Sequence, residues 1–452
     1  MSITSNEEIT ISSNFFMCNG ERWSPKGVCY QPTDGVDPIS DTQENISVIT
    51  KLVDPSTDYG FVAMGINAIR VYQVDPSQSH SKVMKLLADA GIYVLVGCVN
   101  SSVTVLSGLA AYNQRLQAIA DEFCQYSNVM GFSIGNETIG SAGQLPGYGV
   151  PNRIRAGAKA LKAYMASQNY RAVPVSAALR DDPQYTIPAA LAYMCGDASE
   201  RLDFVGYNCE RWAGGPTSAK VDAYYKLAQA FVGKNPVPIV FTEFGSNPVD
   251  FNPRDWDQVP YLYGVKEVKP TSGSGSMNMA DVVSGGFAFR YYNRTAGWGM
   301  LKPDGTLISG SGGDKLGPAY KAVTSLTGTA NSLGTVACDP TNPYVIGWGP
   351  TISVNVSNAI SPATQVAWSF TTDATILDST VWHTLLTMDP GDPVTSVQVP
   401  TKATFVSLSY QDTADPTQWY GGCSISMSSI SAGSTIQGEW VAPNGTGTCS
   451  IG

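Results

Sequence analysis

Histidine is nearly missing from this chain: His80 and His383 are the only two among 452 residues. With so few imidazoles, and with no pair of the nine cysteines at CxxC spacing, neither a metal site nor a cofactor is expected. Charge is scarce too, at 14% of residues, and no run of Lys or Arg occurs. The missing basic run, the net charge of −10 and a pI near 4.7 argue against a nucleic-acid partner and against anionic lipid surfaces. No apolar stretch is long enough to span a membrane. The start, Met1-Ser2-Ile3-Thr4, lacks a basic and apolar leader, and the last residues lack the hydrophobic tail of a lipid-anchor signal. The expectation is a secreted or cell-wall protein in its mature form, or one exported by another route.

What is present suits a large, sugar-handling protein. Hydrophobic residues make up 43% and aromatics 10%, enough for a full core, while 45 Gly and 28 Pro imply many turns. A polar surface with little charge fits a neutral polysaccharide. Widely spaced cysteines suit structural disulfides in an oxidising compartment, with buried free thiols as the alternative. Glycosylation sequons occur at Asn45, Asn100, Asn293, Asn355 and Asn444.

From about residue 25 to 325, eight short apolar runs alternate with longer amphipathic stretches. The runs are Lys26–Tyr30, Ala68–Tyr72, Tyr93–Val96, Val129–Ile134, Val173–Ala177, Phe204–Tyr207, Pro238–Thr242 and Gly286–Arg290. Near-continuous apolarity is what a strand buried on both faces requires in a parallel sheet. The stretches 81–90, 113–126 and 154–165 read as helices, the first stopped by Gly91. Eight strand–helix units predict an α/β fold, a (β/α)₈ TIM barrel over residues 1–328. No Gly-rich phosphate loop follows the first strand, which weakens the rival, an open nucleotide-binding sheet. Residues 271–276, Thr-Ser-Gly-Ser-Gly-Ser, form a loop before the eighth strand. Beyond residue 328 the helical pattern stops and period-two alternation takes over at 351–357, 365–370, 396–399, 404–410 and 424–427. A small β-sandwich over residues 329–452 is expected, accessory or carbohydrate-binding, with Trp368, Trp382, Trp419, Tyr420 or Trp440 as a platform or as core.

Parallel barrels place chemistry at the carboxyl ends of their strands. The fourth predicted strand ends in Gly135-Asn136-Glu137 and the seventh in Thr242-Glu243-Phe244-Gly245. Two carboxylates over one mouth are what a glycosidic bond needs. One protonates the leaving oxygen, and the other attacks the anomeric carbon or activates water. A strand-end Glu could instead be paired with a cation for structural reasons, but two at these positions favour the chemical reading.

The strand-end pattern is similar to that of clan A glycoside hydrolases. More narrowly, the chain resembles the fungal β-1,3-glucanosyltransferases of glycoside hydrolase family 72, over about residues 10–325. The resemblance rests on Lys26-Gly-Val-Cys-Tyr-Gln31, on Asn67-Ala-Ile-Arg-Val-Tyr-Gln-Val-Asp-Pro76 above all, and on Asp89-Ala-Gly-Ile-Tyr-Val-Leu95. Gly135-Asn-Glu137, Asp203-Phe-Val-Gly-Tyr-Asn208 and Phe241-Thr-Glu-Phe-Gly245 complete it. It implies a retaining transglycosylase or endo-hydrolase of cell-wall β-1,3-glucan, with Glu137 as acid/base and Glu243 as nucleophile. Asn136 would bond the sugar 2-hydroxyl, and Arg70 would sit beneath Glu243 and hold it ionised. Gln31, Tyr72 and Tyr207 match positions that line the sugar cleft, and Tyr291 is a further candidate sugar contact.

Several positions depart from that family. Gly97-Cys98-Val99 stands where the family has Asp-Leu-Ser, and Ser246 replaces a cysteine, which leaves Cys209 without its usual partner. The stretch Phe289-Arg-Tyr-Tyr-Asn293 lacks an acid, and Trp298 stands near a family Tyr. These departures motivate an alternative reading, a weakly active or inactive glucan-binding wall protein on the same scaffold. Candidate disulfides are Cys423 with Cys449 and Cys338 with Cys195.

Overall fold

A computed structural model describes residues 7–99, 109–138, 149–213, 217–246, 254–294, 297–339, 342, 344–345, 348–357, 363–371, 384–388, 395–400, 405–412, 419–439 and 448–451. Compact packing divides the chain into two units. One is formed by Met1–Ser102, Asn113–Thr138 and Ile154–Ala337, and the other chiefly by Cys338–Gly452.

The first unit opens with a three-stranded antiparallel meander, β1 (Thr10–Ser12), β2 (Phe15–Cys18) and β3 (Glu21–Trp23). Eight parallel strands then close into a barrel: β4 (Lys26–Cys29), β5 (Ala68–Val71), β6 (Tyr93–Gly97), β7 (Val129–Asn136), β8 (Val175–Leu179), β9 (Phe204–Cys209), β10 (Ile239–Phe244) and β11 (Val283–Ala288). Each strand corresponds to one of the eight apolar runs. All residues of β5, β6, β8, β9, β10 and β11 are buried, as a sheet covered on both faces requires. The meander packs Ile9, Phe16, Cys18 and Trp23 against Tyr93, Leu95, Met130, Phe204, Val240 and Phe287 of the barrel strands. Apolar side chains, not a pore, thus fill the barrel away from the strand ends that carry chemistry.

Helices cover the outside. α1 (Gln43–Val53) is capped by Thr42, whose hydroxyl accepts from Asn45 N–H. α2 is the single turn Phe61–Met64. α3 (Ser81–Asp89) buries Val83, Met84 and Leu87 on one stripe and ends before Gly91, where φ is 71°. α4 (Leu109–Phe123), α5 (Gly149–Ser167), α6 (Pro183–Met194), α7 (Thr217–Phe231), α8 (Val259–Leu262) and α9 (Gly313–Ala322) follow. No helix among the described residues is long and apolar enough to cross a membrane, and no cluster of three His, Cys, Asp or Glu side chains there could hold a metal.

The second unit contains two four-stranded sheets, a small β-sandwich. One has the order β15 (Thr395–Pro400), β12 (Trp348–Ser357), β18 (Thr435–Glu439), β19 (Thr448–Ile451), with β12 and β18 parallel. The other runs β14 (Thr384–Met388), β13 (Ala363–Thr371), β16 (Phe405–Asp412), β17 (Trp419–Ser426), all antiparallel. A Cys423–Cys449 disulfide joins β17 to β19, and so one sheet to the other. Cys195 and Cys338 are likewise disulfide-bonded, and Cys209 is a buried free thiol. Trp382 and Trp440 lie outside the described residues, while Trp368, Trp419 and Tyr420 lie on strands.

Candidate active site

The carboxyl ends of six barrel strands, β4, β5, β7, β9, β10 and β11, bring polar groups to one mouth. Glu243, the next-to-last residue of β10, is only 7% exposed. Its Oε1 accepts from Arg70 Nη1 at 2.9 Å and from the Tyr72 hydroxyl at 2.7 Å, both delivered by the end of β5. Arg70 is fully buried. It also donates through Nη1 to Asn208 Oδ1 (3.1 Å) and the Thr242 carbonyl (2.9 Å), and through Nη2 to Asn136 Oδ1 (2.6 Å). A guanidinium only donates, so these contacts orient both amides: each turns its oxygen to Arg70 and its NH₂ away. Asn208 Nδ2 then donates to Glu137 Oε1 at 2.7 Å. Thr242 Oγ1 donates to Asn208 Oδ1 at 2.8 Å and completes the link between β9 and β10.

Glu137 stands one residue past β7 with φ at 49°. A branched or long side chain rarely adopts this left-handed backbone, and such strain gathers at functional positions. The Glu137 N–H donates to the Ala178 carbonyl of β8 (2.9 Å), which holds the bend. Gly245 supplies the matching turn after Glu243. Its φ of 131° suits only glycine, and a Cβ there would come within 2.9 Å of the Trp256 ring.

Burial pushes the Glu243 carboxyl up to about 7. Glu137 and Glu210 add to the rise, while Arg70 and the Tyr72 hydroxyl pull the other way. The site thus holds a carboxylate at the edge of ionisation near neutrality, opposite a second carboxyl held by Asn208.

Glu137, Glu243, Asn136, Tyr72 and Gln31 line one cleft together with Cys29, Asp34, Gly35, Gln73, Phe289, Arg290 and Arg294, and Arg70 lies beneath it. Gln31 acts through its amide. Its Nε2 donates to the Thr33 and Val36 carbonyls (2.8 and 2.7 Å), and its Oε1 accepts from Tyr72 N–H (3.2 Å), so it shapes the loop beside Tyr72. Tyr207 and Tyr291 stand apart from this cleft. The Tyr207 hydroxyl donates to Asp181 (2.8 Å) and accepts from Arg211 (2.9 Å), and its ring packs on Phe231 of α7 and Phe241. Tyr291 donates to the Tyr59 carbonyl (2.8 Å) and packs against Phe61 and Tyr292. Strand alternation explains the first case: with Tyr207 turned to the helix layer, its neighbour Asn208 faces the mouth. Asn208, Phe289 and Arg290 are among the residues at the mouth that sequence reasoning passed over, and their position at strand ends was the available signal.

At Gly97, where the resemblance implied an acid, β6 lies against the end of β5. A Cβ would overlap the Tyr72 carbonyl and come within 2.6 Å of the Val71 oxygen. In this chain the missing side chain lets the backbone of Tyr72 approach, which sets the residue that binds Glu243.

Comparisons with known proteins identify the family. Residues 1–312 match the glucanosyltransferase family of glycoside hydrolases, family 72. A 1,3-beta-glucanosyltransferase of Arthroderma benhamiae is 31% identical over 306 residues, 65% of this chain and 52% of that protein. The 1,3-beta-glucanosyltransferase GAS5 of Saccharomyces cerevisiae is 32% identical, over 68% of this chain and 60% of its own length. The chain thus spans little more than half the length of these curated relatives. Among solved structures, Saccharomyces cerevisiae Gas2p in complex with laminaripentaose superposes with a TM-score of 0.58 at 25% identity, covering 75% of this chain and 74% of that one. The barrel, the two strand-end glutamates and the match over residues 1–312 place the chain in glycoside hydrolase family 72, the glucanosyltransferases.

Proposed function

We propose that the chain is a retaining β-1,3-glucan transglycosylase or endo-hydrolase, with Glu243 as nucleophile and Glu137 as acid/base. One observation carries this reading: among the described residues, each carboxyl has one oxygen held and one open. Glu243 Oε1 is held by Arg70 and Tyr72, and Oε2 has no hydrogen bond among the described residues. Glu137 Oε1 accepts from Asn208, and Oε2, which has no hydrogen bond among the described residues, is the oxygen that faces the reaction. Relatives named 1,3-beta-glucanosyltransferases and the laminaripentaose bound to Gas2p support β-1,3-glucan as the substrate class.

In the first step Glu243 Oε2 attacks the anomeric carbon. The bond to the leaving oxygen breaks, and that oxygen takes the Glu137 proton. A covalent glycosyl-enzyme results. In the second step the Glu137 carboxylate removes a proton from an acceptor hydroxyl, which attacks the same carbon and frees Glu243. A sugar acceptor gives transfer and water gives hydrolysis. Asn136, its oxygen turned to Arg70, presents its NH₂ for a sugar hydroxyl such as the 2-OH, a contact that strengthens as charge develops. The disulfide-bonded cysteines favour an oxidising setting, secreted or at the cell wall.

Incubation with a reduced laminari-oligosaccharide tests the proposal. Longer and shorter products are the expected result, and shorter ones alone identify a hydrolase. Unchanged substrate in the presence of folded protein would reject both.

A further inference from the structure

Four arginines among the described residues line the cleft, lie beneath it or bond to its wall, and three are satisfied. Arg70 is bonded to Glu243, Asn136, Asn208 and the Thr242 carbonyl. Arg294 pairs with Asp34. Arg254, only 2% exposed, spends its donors on backbone carbonyls: Nε on Ser311 (2.8 Å), Nη1 on Ser246 (3.1 Å) and Phe289 (2.8 Å), and Nη2 on Trp298 (3.2 Å). The fourth, Arg290, lines the cleft beside Glu243 and Tyr72, yet its side chain makes no hydrogen bond or ion pair among the described residues. Its Nε is shielded from solvent and, among the described residues, unbonded. Such a donor in a folded protein calls for an explanation.

The surroundings of Arg290 are built to hold it there. Arg254 clamps the Phe289 and Trp298 carbonyls, and Arg290 N–H donates to that same Trp298 carbonyl at 3.3 Å. The Arg290 carbonyl accepts from Met300 N–H at 3.0 Å, so the backbone is fixed on both sides while the guanidinium is left free. Arg290 carries only donors, so it must be met by acceptor oxygens. Glu243 lies near enough to interact with its charge without pairing to it. Glu137 and Glu243 line the same cleft and would repel an anion there, so the ligand oxygens that fit are neutral.

We propose that Arg290 is a specificity-determining sugar contact. It donates two hydrogen bonds to hydroxyl oxygens of the glucan unit that lies on the Glu243 side of the cleft, with Phe289 as the apolar face beside it. This rests on the reading of the cleft as a glucan site. It assigns to this chain a cation where the resemblance implied an acid.

The test separates the two readings. In full-length protein carrying Glu137→Gln, binding of laminarihexaose is measured by calorimetry with Arg290 intact and after Arg290→Ala and Arg290→Lys. Alanine is expected to weaken binding about ten- to a hundredfold, as loss of charged hydrogen bonds does, and lysine to recover part of it. Thermal midpoints should be unmoved. Equal affinity in all three proteins overturns the assignment, as does absence of binding with Arg290 intact. In the otherwise wild-type enzyme, Arg290→Ala should raise KM with kcat retained. A lower kcat with KM unchanged and an acid limb moved to higher pH would mean that Arg290 acts only on the ionisation of Glu243, and would also overturn it. Failure of the wild type to turn over laminarihexaose would count against the proposed function alone, because the binding arm still judges Arg290.

Discussion

Two buried charge clusters sit on the same barrel and differ in one respect. On the outer side, His80 is wedged between two carboxylates. Nε2 meets Asp37 Oδ2 at 2.7 Å and Nδ1 meets Glu122 Oε1 at 2.9 Å. Asp37 also accepts from Ile39 and Asp75 N–H, and Glu122 Oε1 from the Tyr126 hydroxyl. Every polar side-chain atom of His80 and Asp37 therefore has a partner. At the mouth, Arg70 is equally buried and equally bonded, but Glu243, Glu137 and Arg290 each keep an atom that the described residues leave unmet. Closed clusters hold a fold together. Open ones are held by closed neighbours and wait for a ligand.

The largest effect should come from removing the open oxygen at the mouth. Glu243→Gln should keep the fold and lower kcat by about four orders of magnitude or more, read from initial rates on laminarihexaose. A smaller loss would mean that the nucleophile lies elsewhere. Opening the closed cluster should do the reverse. His80→Gln leaves two carboxylates facing without their cation and should cost about 3–5 kcal/mol of unfolding free energy by denaturant titration, with kcat of the folded fraction near wild type.

The same triad has a pH signature. Burial disfavours the charged imidazole, but Asp37 and Glu122 outweigh it and raise the His80 pKa above its ordinary 6.5. The folded state then holds the proton more tightly than the unfolded chain. The stabilisation is full below 6.5 and is lost as pH rises through the folded value. Wild-type stability should therefore fall on the alkaline side, more steeply than that of His80→Gln.

Partial opening should give intermediate effects. Tyr72→Phe removes one of the two donors to Glu243 Oε1 and should lower kcat about tenfold. It should also move the acid limb of kcat/KM, expected at about 7 in the wild type as Glu243 protonates, to higher pH. The smallest effect belongs to a pair that is closed but exposed. Lys85 and Asp89 on α3 meet at 2.8 Å with most of their surface in water, and Lys85→Ala should change stability by less than about 0.5 kcal/mol.

The barrel was legible because eight strands buried on both faces leave eight uninterrupted apolar runs, and the glutamates because they follow two of them. The meander β1–β3 was not, since strands of three or four residues carry too little alternation to stand out. β14, β18 and β19 escaped for a similar reason, being four or five residues each. Tyr207 and Asn208 show the limit within the site. Both are strand-end residues, and only the phase of the strand decides which reaches the mouth. The openness of Arg290 is a property of partners distant in sequence, Arg254 among them, and no local pattern announces it.

Mass spectrometry of the protein inactivated by a 2-deoxy-2-fluoro laminaribiosyl donor tests the central claim most directly. One glycosyl adduct is expected on the peptide containing Glu243, absent from Glu243→Gln. An adduct on another residue, or a first product of inverted anomeric configuration with no adduct at all, would contradict it.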